Sequence, residues 1–337
     1  MINKKTIIAV FGLGRIGLMH VENLSNHKDF SLKYVFDINK YLTKKVSKKY
    51  NCKAIFNPKF AFEDNSVDTI FIATATLTHI KYIIESVKNK KIVFCEKPLD
   101  LNLKKINQCK KIIEKYNPKI QLGFNRRYDP GHNSIKKDLI KNKIGKLEKI
   151  IITSRDPAPP SKQYLKSSGG IFKDMMIHDF DLARFYIEND EFISLFATGS
   201  KMYDKKFKTL NDFELATSVL KTRKGIQCII TNSRHCSFGY DQRVELFGTQ
   251  GMLISDNVKK DETSIYSSKN TSSRSVLKNF FIDRYSNAYL RQLDDLHKMK
   301  DKTFKPLAGF EDGRKSLILA ETAIKSSKSK KFEKVKY

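Results

Sequence analysis

The hexapeptide Gly12-Leu13-Gly14-Arg15-Ile16-Gly17 constrains the fold of this chain more than any other segment. An apolar run rich in β-branched residues, Thr6-Ile-Ile-Ala-Val-Phe11, leads into it, and a stretch with apolar residues at helical spacing (Ile16, Met19, Leu24) leads out. A G-x-G-x-x-G pattern alone is weakly specific, but between a strand and a helix each position has a physical role. Gly12 permits the tight turn, Gly14 lets the backbone approach a pyrophosphate, and Gly17 allows the helix to pack closely on the strand. Leu13, Arg15 and Ile16 complete a loop whose free N–H groups, at the positive end of a helix dipole, suit an anion. Asp37 closes the next apolar run, Tyr34-Val-Phe-Asp37, 20 residues after Gly17. At that spacing a carboxylate accepts from both hydroxyls of an adenosine ribose and repels a 2′-phosphate. The pattern therefore predicts NAD rather than NADP, although nearby Lys40 would partly neutralise such a phosphate.

The alternation that begins here continues to residue 123. Strands are expected at 6–11, 31–36, 53–56, 69–73, 91–95 and 119–123, with helices at 16–25, 40–49, 80–88 and 103–116. Strands alternating with helices predict a doubly wound parallel sheet. Beyond residue 123 the pattern changes. A helix at 133–142 and a strand at 147–154 precede a loop, 155–160, in which three prolines exclude regular helix. A helix from Asp174 to about Tyr186 leads to strands at 193–200, 213–221, 225–233 and 242–248. Successive strands without helices between them predict an α+β domain with a large open, mostly antiparallel sheet. Residues 256–275 are polar and read as a surface loop, and helices at 287–300 and 311–327 close the chain. At 337 residues the chain exceeds one domain of roughly 100–200 residues, so two are expected, 1–123 and 124–337.

Bulk properties remove several classes of function. The net charge of +28 invites a nucleic-acid reading. The lysines, however, are spread over nearly every segment and outnumber arginines several-fold, whereas nucleic-acid binders concentrate basic residues on one stripe. Cys52, Cys95, Cys109, Cys228 and Cys236 are odd in number and contain no C-x-x-C pair, which argues against a disulfide framework and a zinc site and fits a reducing cytoplasm. The first apolar run is too short for a signal peptide, and no apolar stretch approaches the roughly 20 residues that span a bilayer. No nucleic acid, membrane or metal partner is expected.

Two segments carry candidate chemistry. Glu96-Lys97-Pro98 follows the strand expected at 91–95, and ligands in open parallel sheets bind beyond the carboxyl ends of strands. In Gly169-Gly-Ile-Phe-Lys-Asp174-Met-Met-Ile-His178, Asp174 and His178 are four apart and would share one face of a helix, with Asp174 near its start. An imidazole exchanges protons near neutrality and suits a general base. On spacing alone the same pair also fits a helix cap with a part-buried histidine, or half a metal site.

Together, Gly12–Gly17, Glu96-Lys97-Pro98 and Asp174…His178 resemble the Gfo/Idh/MocA oxidoreductase family, and the likeness covers essentially the whole chain. Gly123-Phe-Asn-Arg-Arg-Tyr-Asp129 and Gly169 to Asp181 look particularly like its inositol 2-dehydrogenase branch. The resemblance implies a Rossmann domain followed by a substrate-binding and oligomerisation domain, assembly into homotetramers, and a cis Lys97–Pro98 peptide. It implies that Lys97, Asp174 and His178 are catalytic, that Glu96 and Lys97 reach the cofactor, and that Asn125, Tyr240 and Tyr289 contact substrate hydroxyls. Thr74-Ala-Thr-Leu-Thr-His79 resembles the family's T-P-x-x-x-H turn with alanine in place of proline; Thr74 and His79 would then approach the cofactor, or His79 would simply begin the next helix. The implied activity is NAD-dependent oxidation of a cyclic polyol, with myo-inositol and its 2-ketone favoured. Another sugar or polyol dehydrogenase, a redox-assisted glycosidase and a non-catalytic NAD-binding regulator are the alternatives.

Overall fold

The computed structural model describes residues 4–210, 212–269 and 271–337. In its first part, β1 (Thr6–Phe11), β2 (Phe30–Phe36), β3 (Lys53–Ala54), β4 (Thr69–Ile72), β5 (Ile92–Cys95) and β6 (Ile120–Leu122) form a parallel sheet in the order β3-β2-β1-β4-β5-β6. The helices α1 (Arg15–Asn26), α2 (Lys40–Lys49), α3 (Lys59–Glu63), α4 (His79–Lys88) and α5 (Leu103–Ile113) connect successive strands. β4 (Thr-Ile-Phe-Ile) and β5 (Ile-Val-Phe-Cys) are buried at every residue, as strands covered on both faces must be. The strand order reverses between β1 and β4, so the loops after these two strands flank the switch point where ligands of such sheets bind.

The second part begins with α6 (Pro130–Ile140). It starts three residues before the expected 133 because Pro130 occupies its first turn and the Asp129 carboxylate accepts from the Gly131 and His132 N–H groups. There follow β7 (Leu147–Arg155), α7 (Lys162–Ser167), α8 (Gly170–Asp174), α9 (Met176–Tyr186), β8 (Phe192–Ser200), α10 (Lys206–Thr209), β9 (Leu215–Thr222), β10 (Gln227–Ser233), β11 (Asp241–Gly248) and β12 (Gly251–Ser255). The stretch expected to be a loop contains a small exposed ribbon, β13 (Ser264–Ile265) and β14 (Ser273–Arg274). After it come α11 (Phe281–Arg284), α12 (Ser286–Lys298), α13 (Phe310–Ser329) and β15 (Glu333–Lys334).

A second sheet runs β12-β11-β7-β10-β9-β8-β15, antiparallel at every step except β7–β10. Its strands alternate with period two: in β7, Ile150, Ile152 and Ser154 are buried while Lys149, Ile151 and Thr153 are half-exposed. α9 lies on the buried face against β7 and β10. The fully buried Asp179 fixes it there, with Oδ1 2.6 Å from Ser154 Oγ and Oδ2 accepting from Asn232 Nδ2 at 2.8 Å.

The chain folds into two compact units, and neither is continuous in sequence. One runs to Tyr128 and takes up Tyr289–Arg314; the other is Asp129–Ala288 with Lys315–Tyr337. A single cut at residue 123 does not describe this division. Leu293, Leu296 and Met299 share the core of the first unit with Ile8, Val10, Val35, Phe71 and Phe94. Tyr289, Leu293 and Leu296 are buried at helical spacing, so α12 supplies an apolar stripe that completes this core. Among the described residues, no helix is long and apolar enough to cross a membrane, and no cluster of three or more His, Cys, Asp or Glu is placed to hold a metal ion.

Candidate active site

The glycine loop leaves β1 at Gly12, whose φ of +93° disfavours a side chain. A Cβ there would lie 2.4 Å from the Ala73 carbonyl oxygen, in the loop after β4, and a Cβ on Gly17 would lie 2.0 Å from the Gly12 carbonyl oxygen. These two glycines are demanded by protein packing. Gly14 is different, since a Cβ there would meet nothing within 4 Å. Gly14 is also the N-cap of α1, so the loop stands at the positive end of a helix dipole, which suits an anion. Asp37 follows β2; its Oδ2 accepts from the Leu13 N–H at 2.7 Å and its Oδ1 from the Asn39 N–H at 2.8 Å. Each oxygen keeps a lone pair for a ribose hydroxyl. This arrangement fits a dinucleotide, with pyrophosphate at Gly14–Gly17 and ribose at Asp37.

The loops after β4 and β5 hold the next candidates. Thr74 Oγ1 lies 2.7 Å from Thr78 Oγ1. His79 is the first residue of α4 and is buried; its Nδ1 lies 2.8 Å from the Pro98 carbonyl oxygen and its Nε2 3.0 Å from that of Thr74. Burial pushes this imidazole below its usual pKa, and a neutral ring donates from only one nitrogen. Lys97 is half-buried at the carboxyl end of β5, and the Lys97–Pro98 peptide is cis. Glu96 Oε2 accepts from the Lys97 N–H at 3.2 Å. Asn125 is buried in the 3-10 turn Asn125–Tyr128 after β6, and Tyr289 packs its ring edge-on to His20 at 5.4 Å. All these residues belong to the first unit.

The second unit holds Asp174, His178 and Tyr240. Asp174 does not begin the helix that carries His178. It ends α8, and Met175, with φ −97° and ψ −58°, separates it from α9. Both Asp174 and His178 are half-buried. Asp174 Oδ1 accepts from the Tyr164 hydroxyl at 2.7 Å and Oδ2 from Arg234 Nη1 at 3.1 Å. Arg234 is 1% exposed and also reaches Asp212 at 3.5 Å. A carboxylate hydrogen-bonded to a buried guanidinium is fixed in direction. Tyr240 is buried and meets Tyr285 edge-on at 6.0 Å.

The structure adds residues that sequence reasoning passed over. His20 is fully buried on α1, and its Nε2 lies 2.9 Å from Glu96 Oε1. Its signal was present, because it falls on the same helical stripe as Gly17, Val21 and Leu24. Gly123 lacks the Cβ that would lie 2.7 Å from Glu96 Oε2. Tyr164 and Arg234 show no local pattern, since what makes them notable is contact with Asp174.

Strand order, glycine loop and Asp37 define the class, an oxidoreductase on an NAD-binding Rossmann fold. The chain belongs to the Gfo/Idh/MocA family, whose model described as "Oxidoreductase family, NAD-binding Rossmann fold" matches residues 7–124 and whose C-terminal domain model matches residues 132–254. It is 38% identical over 329 residues to the myo-inositol 2-dehydrogenase of Thermotoga maritima, covering 97% of this chain and 98% of that one. It is 34% identical over 323 residues to the inositol 2-dehydrogenase of Rhizobium meliloti, covering 96% and 97%. The crystal structure of a myo-inositol dehydrogenase from Corynebacterium glutamicum matches it with a TM-score of 0.94 at 35% identity over 99% of each chain.

Proposed function

We propose that this protein oxidises a secondary alcohol of inositol to the ketone, in the manner of an inositol 2-dehydrogenase. The observation that carries the substrate is the nearly full-length likeness to two inositol 2-dehydrogenases. NAD, when bound, supplies the hydride acceptor. The Gly12–Gly17 loop holds its pyrophosphate and Asp37 its adenosine ribose, with Thr74, His79 and Glu96 toward the nicotinamide half. His178 takes the proton from the substrate hydroxyl. Lys97 stabilises negative charge developing on that oxygen. Asp174, oriented by Arg234 and Tyr164, binds a substrate hydroxyl and supports the imidazolium. Asn125, Tyr240 and Tyr289 orient the remaining hydroxyls.

The test is NADH formation across myo-, scyllo- and chiro-inositol and common hexoses. Activity with hexoses alone overturns the inositol assignment. Lys97→Ala and His178→Ala are expected to lower kcat by roughly 10²–10⁴-fold with NAD affinity nearly unchanged. Wild-type activity in either variant removes that residue from the mechanism.

The protein also acts, in this reading, as a cytoplasmic homo-oligomer, a tetramer by family likeness. All five cysteines are free thiols, in keeping with a reducing compartment. The open face of the second sheet supports self-association. Strand register aligns Ile254, Glu245, Ile151, Ile229, Val219 and Phe196 in one row across six strands, and all six are half-exposed or exposed.

A further inference from the structure

Two buried histidines grip the loop that carries Lys97, one on each side. On α1 the His20 ring is walled by Phe71, Phe94 and Tyr289, with centroids at 4.5, 5.6 and 5.4 Å. Its polar contact with the loop is Nε2 to Glu96 Oε1 at 2.9 Å. A carboxylate only accepts, so the ring donates and Nε2 carries the proton. The other carboxylate oxygen, Oε2, accepts from the Lys97 backbone N–H at 3.2 Å, in the space that Gly123 leaves by lacking a Cβ. A continuous path thus runs from imidazole to carboxylate to the peptide that bears Lys97. On the other side, His79 Nδ1 lies 2.8 Å from the Pro98 carbonyl oxygen, and Nε2 lies 3.0 Å from that of Thr74. The single N–H of the neutral ring is assigned to the shorter contact, donating to the residue after Lys97.

We propose that His20 and His79 are positioning residues for Lys97, His20 acting through Glu96 and His79 through the Pro98 carbonyl. The inference rests on the reading above, in which the Lys97 ammonium acts on the alcohol oxygen. A lysine side chain is a long, flexible stem, so where its ammonium can reach depends on how its Cα is held. Small displacements at a reacting centre cost rate steeply, and the two histidines hold the backbone immediately before and after this Cα.

The experiment compares His20→Met, which fills the slot without a donor, with His20→Gln, whose amide nitrogen reaches the position of Nε2. His20→Met is expected to lower kcat roughly 10- to 100-fold, with Tm and the dissociation constant for NAD close to wild type, and His20→Gln to recover most of the loss. His79→Leu is expected to lower kcat likewise, whatever it does to NAD affinity, and His79→Asn, whose amide nitrogen reaches the position of Nδ1, to recover most of the kcat loss; this pair carries the test if His20→Met does not fold. In the double variant His20→Met/Lys97→Met, kcat should equal that of Lys97→Met alone, because a residue acting through Lys97 has nothing left to position. Equal losses in the Met and Gln variants, a loss confined to NAD affinity, or additive losses in the double variant overturn the proposal. Near-wild-type kcat in Lys97→Met instead overturns the catalytic role of the lysine itself, so the two failures are separable.

Discussion

Within the glycine loop, three residues of one type serve two different ends. Gly12 and Gly17 are required by protein atoms at 2.4 and 2.0 Å, while Gly14 faces open space. Gly12→Ala and Gly17→Ala should therefore cost roughly 2 kcal/mol or more of stability, read from urea midpoints. Gly14→Ala, at an unstrained φ of −66°, should leave stability nearly unchanged and weaken NAD binding by about tenfold or more, read by titration. A second residue-scale expectation concerns acid. Burial holds the folded-state pKa of His79 below 6.5, the value for a free imidazole. As pH falls through about 6.5 the unfolded chain takes up a proton that the folded chain refuses. The contribution of His79 is thus complete above that pH, declines below it, and levels off once the lowered folded value is passed. His297, also depressed by burial, acts with the same sign. Asp64, held low by Lys33, loses its contribution only below the ordinary carboxylate range, so its effect is separate. Tm measured from pH 8 to pH 5 should fall below about pH 6.5, and His79→Gln should flatten that slope.

In the second unit, the element that sets how Asp174 and His178 are presented is the break between α8 and α9. A periodicity argument places Asp174 and His178 on one helix, and their spacing does suit one. The Gly169-Gly170 turn, with φ of +84° and +82°, instead starts a separate short helix that ends at Asp174. Asp212 seats this turn: its Oδ1 accepts from the Ile171 N–H at 2.8 Å, in a space that a Cβ on Gly170 would crowd at 2.9 Å. Arg234 then joins Asp212 to Asp174, spanning α8 from its start to its end. Arg234→Met leaves two carboxylates facing each other without their cation and should cost about 3–5 kcal/mol, measured by denaturation. Arg234→Lys should restore it only in part, because a single ammonium nitrogen replaces the two separate nitrogens, Nη1 at Asp174 and Nη2 at Asp212, with which the guanidinium spans the carboxylates.

Over the whole molecule, the chain leaves its first unit after Tyr128, returns to it at Tyr289 and leaves it again after Arg314. The helix expected at 287–300 does form, but its Leu293, Leu296 and Met299 complete the core of the first unit rather than that of the domain adjoining it in sequence. Helical periodicity marks a stripe as apolar without saying which core it joins. The second sheet keeps one face uncovered, and the row from Ile254 to Phe196 is where self-association is proposed. Ile229→Lys, at the centre of that row, should lower the sedimenting mass while leaving far-UV circular dichroism unchanged. An unaltered mass would exclude this face as the interface.

The amino-acid order alone determined what depends on neighbours in the chain: strand–helix alternation, the Gly12–Gly17 loop, Asp37, the Glu96-Lys97-Pro98 turn and the Asp174…His178 spacing. Each is set by local backbone preference or by a period of two or 3.6 residues. Only the tertiary structure decided the partners of buried polar groups. His20 and Glu96 are 76 residues apart, and Asp174 and Arg234 are 60 apart. No periodic pattern links such positions. Their pairing follows from which helix packs on which strand and from the cost of leaving a buried charge or imidazole without a partner.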